Sequence, residues 1–522
     1  MQTLKRKGGF KAGIILISMI IGVCKAFTGH SQDTLQLTHR RAVDIALDES
    51  YTVKSYKKER KAMEHQFDFY KAQFKPRLDF NIFAPDWEES VKRVDRPDTL
   101  PVYNSFGSMQ FGSNLKFTYV LPTGGNFELK SNIYHENIQH VIAQENYQTL
   151  NRNQAFSNVS LSFNQPFFTK NELQENLNEA EYRYKQASAQ FTRKQMDIVY
   201  RVTKGFYRVY QASRQVEIAR EQLTNSREAY EIAKLKLNTG RIPENEVLIA
   251  EVEMEKNRAH LSKLKNTLAR EKDHFKQLIG LDLNRSIQIQ GKIAYDAFQV
   301  NIDTAIHKAL KNRLEIKEQK LDIRLQEINV DEAQRMSEFK GNLSAYLNLT
   351  GIGMSTRDAV SSTALFESSF DNFIERPPNY GIRLTFTLPV YDWGRRHARV
   401  QEELVRLEKN RIELKHERKT IRKEILNTVR TVRESRDRLN IMRKNLQAAQ
   451  KSYKISNMRF ENGRISSQEL AQQQERLSDV QLSYLEAFVT YKLAVADLKR
   501  KTMYDFKHSR SYLPEKTMNN EQ

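Results

Sequence analysis

The chain has 522 residues, 28% of them charged, with only 19 glycines, 11 prolines and one cysteine. That composition suits long helices and argues against both a disordered chain and a disulfide framework. The formal charge is +20, but lysines and arginines alternate with glutamates along helical patterns, which argues against a nucleic-acid partner.

Residues 1–31 read as a secretory signal. Lys5-Arg6-Lys7 supply a basic start, Ala12–Val23 an apolar stretch, and Gly29 and Ser31 a small-residue cleavage site. About 12 apolar residues are too few for a membrane span, which needs ~20. The single cysteine, Cys24, lies inside this segment, so an exported chain has none and can do no thiol chemistry. No later segment reaches ~18 apolar residues, which excludes a helical span.

Thr38 is placed as the N-cap of a helix over about 39–74, stopped by Pro76. Alternating segments follow at 77–85 and 157–165. Between them, 114–121 and 127–133 flank the turn Pro122-Thr-Gly-Gly125 as a hairpin. A stretch of about 70 residues from Phe168 to Leu237 then runs without proline to the turn Thr239-Gly240-Arg241-Ile242, and a helix over 246–276 returns from it. A nonhelical linker covers 282–300. The second half repeats the plan: a helix over 303–338, strands at 342–350 and 379–388, a polar loop at 352–377 between them, a second rod from Tyr391 to Phe460, the turn at Gly463, and a helix over 467–503. The organisation is therefore a signal (1–31), a first repeat (32–281), a linker (282–300), a second repeat (301–506) and a polar tail (507–522).

One offset of 223 superposes the two rods without a gap, since Pro166 to Gly240 and Pro389 to Gly463 have the same spacing. Val202, Phe206, Val209, Val216, Leu223, Tyr230 and Leu237 fall on Ile425, Val429, Val432, Leu439, Leu446, Tyr453 and Phe460. Steps of three and four predict a coiled-coil seam. Each rod is ~100 Å long at 1.5 Å per residue, and the two shorter helices of each repeat sum to the same length. The fold class is mainly α with a small β part. Four amphipathic strands of membrane-crossing length cannot close a barrel alone, and open edges are forbidden in lipid. Three chains would close one of twelve strands.

This plan resembles the TolC family of outer-membrane efflux proteins over about residues 37–506. The resemblance is carried by the duplicated helix–strand–strand–helix plan, the strand-to-helix junctions Leu161-Ser-Phe-Asn-Gln-Pro166 and Leu384-Thr-Phe-Thr-Leu-Pro389, and the turns Lys236-Leu-Asn-Thr-Gly240 and Arg459-Phe-Glu-Asn-Gly463. The resemblance implies a homotrimer in the outer membrane, in contact with its lipid, with a long periplasmic tunnel. It implies a passive exit duct for efflux or type I secretion, partnered by a periplasmic adaptor and an inner-membrane transporter. The hairpin inserted within 95–150 departs from the simplest form of the family, and its place is left open.

A duct needs no cofactor and no bond chemistry, and no nucleotide loop, catalytic serine elbow or zinc helix appears in the chain. His135 and His140, five apart in what reads as a polar loop, are a poor metal pair. The tips carry the functional candidates. Gly240 and Gly463 reverse the chain, and the resemblance places these turns, with Arg241 and Arg464, against the adaptor. It also implies gate positions at Glu246, Glu469 and Gln472, which symmetry would repeat as rings. An acid in a helix's first turn also suits the helix dipole without any gate. Arg241 and Arg464 are candidate latches for those acids. Competing readings are an exported coiled-coil structural or adhesion protein without a pore, which leaves the strands unexplained, and the adaptor itself, which would carry one helical hairpin rather than two.

Overall fold

The structure is a computed structural model that describes residues 34–512 apart from 96–99, 143–147, 292–298, 337 and 356–359. The signal expected at 1–31 and the end of the tail, 513–522, lie outside the described residues. In chain order the elements are β1 (Leu35–Leu37), α1 (His39–Glu49), α2 (Tyr51–Ala72), β2 (Arg77–Val94), β3 (Val102–Val120), β4 (Asn126–Ile142), β5 (Gln148–Phe167), α3 (Glu172–Asn238) and α4 (Glu244–Ile279). There follow β6 (Ile287–Ile289), α5 (Ile302–Asn312), α6 (Leu314–Arg335), β7 (Lys340–Ser355), α7 (Ser362–Glu375), β8 (Asn379–Thr387), α8 (Arg395–Glu461), α9 (Ser467–Thr502), β9 (Tyr504–Asp505) and β10 (Arg510–Ser511).

The offset of 223 holds for both long hairpins. α3 and α8 each have 67 residues, α4 and α9 each have 36, and every boundary maps onto its partner. The short helices also match, 11 and 22 residues in each repeat, but at an offset of 263. The difference between the offsets makes the first repeat 40 residues longer between its short and long helices, close to the span of β3 and β4. The expected single helices over 39–74 and 303–338 are each broken in two. Ser50 and Arg313 interrupt them with ψ near +130°, and each still returns its amide to the preceding turn.

Two compact units divide the chain, and each draws on both repeats. One comprises residues 1–55, 193–313 and 421–522, the other 56–192 and 314–420. In the first, the predicted seam forms the core: Val202, Val209, Ile425 and Val429 are fully buried, with Phe206, Val432, Leu439 and Phe460 nearly so. Phe275, Phe488 and Tyr491 fill the space around them. Gly280 closes α4 at φ +79°, and a Cβ there would stand 2.6 Å from the Glu49 carbonyl oxygen, so both backbone conformation and close approach require glycine. Asp505 draws the tail's first residues back. Its carboxylate accepts from Lys499 at 3.1 Å, His508 at 2.9 Å and Tyr512 at 3.2 Å.

The second unit holds one antiparallel sheet in the order β2-β3-β4-β5-β7-β8. This corrects the expectation of four strands per chain: among the described residues the sheet has six. The inserted hairpin is not a separate appendage. Its five-residue connection, Leu121–Gly125 with Gly124 at φ +87°, is too short to leave the sheet; β3 pairs with β2 across one irregularity between Phe83 and Asp86, and β4 pairs without a break with β3 and β5. Strict alternation then gives the sheet two unlike faces. Rows such as Phe80–Leu115, Leu78–Phe117–Leu129–Leu161–Leu347 and Ala345–Ile382 lie on one face. The other carries Asn81–Asn114–Asn132–Asn158, Lys116–Lys130–Ser160–Asn348 and Ser344–Arg383. Side-chain bonds tie the polar face, among them Asn81–Asn114 at 2.9 Å, and Gln110 and Gln154 each donating to Glu136 at 2.8 Å. The segment read as a loop around His135 and His140 is strand β4. Being five apart, the two imidazoles point to opposite faces, which accounts structurally for the poor metal spacing.

Candidate functional site

The two rod tips come together as one site. Both end in the same C-cap. The amides of Gly240 and Arg241 return to the carbonyls of Leu237 and Lys236 at 2.8 and 2.9 Å, and those of Gly463 and Arg464 to Phe460 and Arg459 at 2.9 Å each. This is the double bond of a Schellman motif, in which only the residue at C′ takes positive φ. Gly240 and Gly463 do so at +68° and +70°, and a Cβ on either would meet nothing within 4 Å. Each glycine is therefore needed for its backbone angle alone.

Beyond the turns the copies diverge. Ser466 caps α9 by accepting the Glu469 amide at 3.1 Å. With Glu469 three residues on, this is a capping box sequence. Proline occupies the equivalent position 243 and offers α4 no side-chain cap. The equivalent acids are used differently as a result. Glu246 is half-buried and reaches across to the other hairpin, its Oε2 accepting the backbone N–H of Ser467 at 3.0 Å. Glu469 and Gln472 are exposed.

A second tie runs the other way. Lys236, in the last turn of α3, donates to the Phe460 carbonyl and places Nζ 4.2 Å from the centre of that ring. Burial lowers the ammonium's pKa, and the neighbouring positive Arg241 lowers it further. Thus an anion sits at the start of α9 and a cation at the end of α8, each complementing the local end of a helix dipole. Both ties border one cleft, lined also by Pro243, Asn462 and Ile465. Arg241 and Arg464 line it too, but in the single chain neither forms an ion pair with Glu246 or Glu469 among the described residues. The expected latch is therefore not a contact within one chain.

Sequence reading missed Lys236 and the cross-hairpin role of Glu246. The signal available was the asymmetry Pro243 against Ser466, which predicts different caps in the two copies. It also missed an exposed apolar strip on the first tip, Leu235 on α3 with Leu248 and Val252 on α4.

In the second unit, Pro166 lies in β5 beyond the last β4 partner, Asn164, where a missing N–H costs no ladder bond on that side. Pro389 follows the end of β8. After Pro166 one residue takes positive φ, Phe168 at 59°, before Asn171 caps α3; after Pro389 two do, Trp393 at 58° and Gly394 at 82°, both just beyond Asp392, whose carboxylate accepts the Arg396 amide in the first turn of α8. Among the described residues no helix is long and apolar enough to cross a membrane, and no group of three or more His, Cys, Asp and Glu side chains is placed to hold a metal ion.

A model of the outer membrane efflux protein family matches residues 149–281 and 305–502. No curated protein matches the sequence. Among solved structures, the CmeC outer membrane channel of Campylobacter jejuni is similar with a TM-score of 0.62 at 14% identity, over 89% of this chain and 85% of that one. The outer membrane protein VceC of Vibrio cholerae gives 0.60 at 13%, over 89% and 95%. The open state of the Neisseria gonorrhoeae MtrE channel gives 0.62 at 11%, over 89% and 88%.

Proposed function

The chain belongs to the outer membrane efflux protein family, and from that premise we propose that three copies close a single barrel of eighteen strands, continued by a helical conduit that is gated at the rod tips. As a member of that family the protein is a passive exit duct of the outer membrane with a long periplasmic portion, and not an enzyme. The observation that carries the closed barrel is the sheet. It has one apolar face and one polar face, and among the described residues its two edge strands, β2 and β8, have no outer partners. With six strands those edges run in opposite directions, so β8 of one copy can pair antiparallel with β2 of the next, and a rotation closes the ring. The edges are close in length: β8 has nine residues, and β2 runs regularly from Arg77 to its irregularity after Phe83. Beyond that, β2 turns to Asp86, Glu88, Glu89, Lys92 and Arg93, the charged pattern of an edge that avoids pairing.

Eighteen strands replace the twelve expected from sequence. At a strand spacing of ~4.8 Å and a tilt near 40°, backbone diameter rises from roughly 24 to roughly 36 Å, wide enough for an aqueous lumen. The polar face of Asn, Ser, Lys and Glu side chains lines that lumen. The mass of the protein extracted from outer membranes in mild detergent, corrected for bound detergent, tests the assembly. Three chains support it, and a soluble monomer or dimer refutes it and returns the coiled-coil structural reading.

At the tips, Glu246, Glu469 and Gln472 form the gate layers and are repeated as rings in the trimer. The turns at Gly240, Arg241, Gly463 and Arg464 dock a periplasmic adaptor that couples the duct to an inner-membrane transporter. The two ties across the hairpins, through Lys236 and Glu246, support a closed resting tip. Charge reversal at exposed Glu469 is expected to change conductance or cation block, and identical currents would remove it from the gate.

A further inference from the structure

The connection between β7 and β8 carries a helix that neither the barrel wall nor the gate requires. α7 lies directly on the sheet. A Cβ on Gly351 would stand 1.9 Å from the Ser369 carbonyl oxygen, and one on Gly353 would stand 2.0 Å from that of Leu365, so helix and strand backbones touch through two glycines. Ser369 Oγ is 3.0 Å from both Ser157 Oγ and the Gly351 carbonyl oxygen. Asn372 Oδ1 accepts the Ile352 amide at 3.0 Å, where β7 has run past the start of β8. Leu365 and Ser369 are buried in this contact. The helix is therefore fixed to the wall rather than hung from a loop.

Its position along the wall is informative. Gly351 and Gly353 continue the row Leu343, Ala345, Leu347 and Leu349, so α7 sits on the apolar face. At the opposite end of that row, Gly341 packs on Phe386, whose ring is 5.3 Å from Phe339, itself 5.4 Å from Phe168. From Gly341 to Gly351 is ~33 Å along the strand, or ~25 Å along the membrane normal at a tilt near 40°. That is the height of a barrel's apolar band, which is bounded on both sides by aromatic side chains. The helix thus stands where the second aromatic boundary belongs. Its own surface is divided accordingly. Phe366, Phe370 and Ile374 form one stripe at i,i+4 spacing, with Ile374 81% exposed, and Glu367, Asp371 and Glu375 form the neighbouring stripe.

We propose that α7 is an interfacial helix on the outside of the barrel, with Phe366, Phe370 and Ile374 seated at the headgroup–acyl boundary of the outer leaflet and its acidic stripe facing water. The proposal rests on the reading of the apolar face as lipid-facing. The occupant is lipid because the apolar stripe prolongs the band already given to the membrane, and an exposed stripe of this kind beside an acidic one is the pattern of a helix lying in an interface. In the trimer three such helices would mark the outer boundary and fix the barrel's depth.

The test uses the full-length protein with Cys24→Ser, reconstituted in phosphatidylcholine vesicles, carrying one environment-sensitive thiol label at a time. The positions are Phe370→Cys, Ile374→Cys, Glu367→Cys, Asp371→Cys and, on the band itself, Ile382→Cys. Quenching is compared between iodide in the water and lipids carrying a doxyl group near the headgroup. At 370, 374 and 382 strong doxyl quenching is expected, with iodide quenching several-fold weaker than at 367 and 371. If 382 is lipid-quenched while 370 and 374 follow 367 and 371, α7 stands in water and the proposal fails alone. If 370 and 374 are shielded from both quenchers, protein covers them and the proposal again fails. If 382 itself escapes the lipid quencher, the barrel reading falls and takes this one with it.

Discussion

Replacing Glu246 with alanine is the sharpest perturbation of the tip. In the closed hairpin pair its carboxylate accepts the Ser467 amide at 3.0 Å, at the start of α9. Hydrogen bonds to charged groups contribute ~1.5–3 kcal/mol, and because the group is half-exposed the lower figure applies. Loss of ~1.5 kcal/mol shifts the equilibrium between joined and separated hairpins about tenfold in each chain. If three chains open together and independently of other changes, the product approaches a thousandfold, reduced by whatever coupling the neighbours share. Glu246→Gln keeps a neutral acceptor and is expected to fall between wild type and alanine. Open probability in planar bilayers reads the gate, and hydrogen exchange at the Ser467 amide reads the bond. Faster exchange with unchanged open probability would leave the bond but remove it from gating. If neither measurement changed, the cross-hairpin tie would be refuted.

Gly463→Ala is expected to cost about 1 kcal/mol, because only left-handed backbone strain is added. Gly280→Ala is expected to cost more, since a Cβ there also meets the Glu49 carbonyl, and thermal unfolding followed by helical signal ranks the two; equal costs would contradict the close approach. Ile382→Lys puts a charge on the apolar face near mid-band and is expected to destabilise each chain by ~2–4 kcal/mol. Its reading is a loss of assembled protein from the outer-membrane fraction, and normal assembly would place that face away from lipid. His39 is half-buried against Phe206, with Lys499 and Lys492 near, and desolvation first and those cations second lower its pKa below 6.5. The folded state therefore resists protonation while the unfolded chain accepts it, so this contribution is complete above about pH 6.5 and is lost as pH falls from there. Melting at pH 7.5 and at pH 5 should differ less in His39→Gln than in wild type; an equal difference would exclude His39 as the source.

Much of the helical part could be read without coordinates because its cause is local and repeated. Seam residues recur every three or four positions, Gly240 and Gly463 stop the rods where only positive φ closes the cap, and duplication checks each reading against its copy. The breaks at Ser50 and Arg313 escaped because neither residue is a helix breaker. α7 escaped for another reason: Ser361 as cap and Leu365, Phe366, Ser369 and Phe373 at helical spacing are a fair signal, but little more than two turns of pattern carry little weight for an isolated helix.

By itself, then, the sequence determined the duplication, the rods, the tip turns and the alternating strands, since all follow from short-range periodicity and backbone chemistry. Tertiary structure alone decided that the β3–β4 hairpin widens the sheet to six strands, because strand pairing is a choice among distant partners. It alone decided that Glu246 and Glu469, equivalent by the repeat, act differently. Pro243 leaves one helix without a side-chain cap while Ser466 caps the other, and only the packing of two hairpins side by side brings Glu246 to the Ser467 amide.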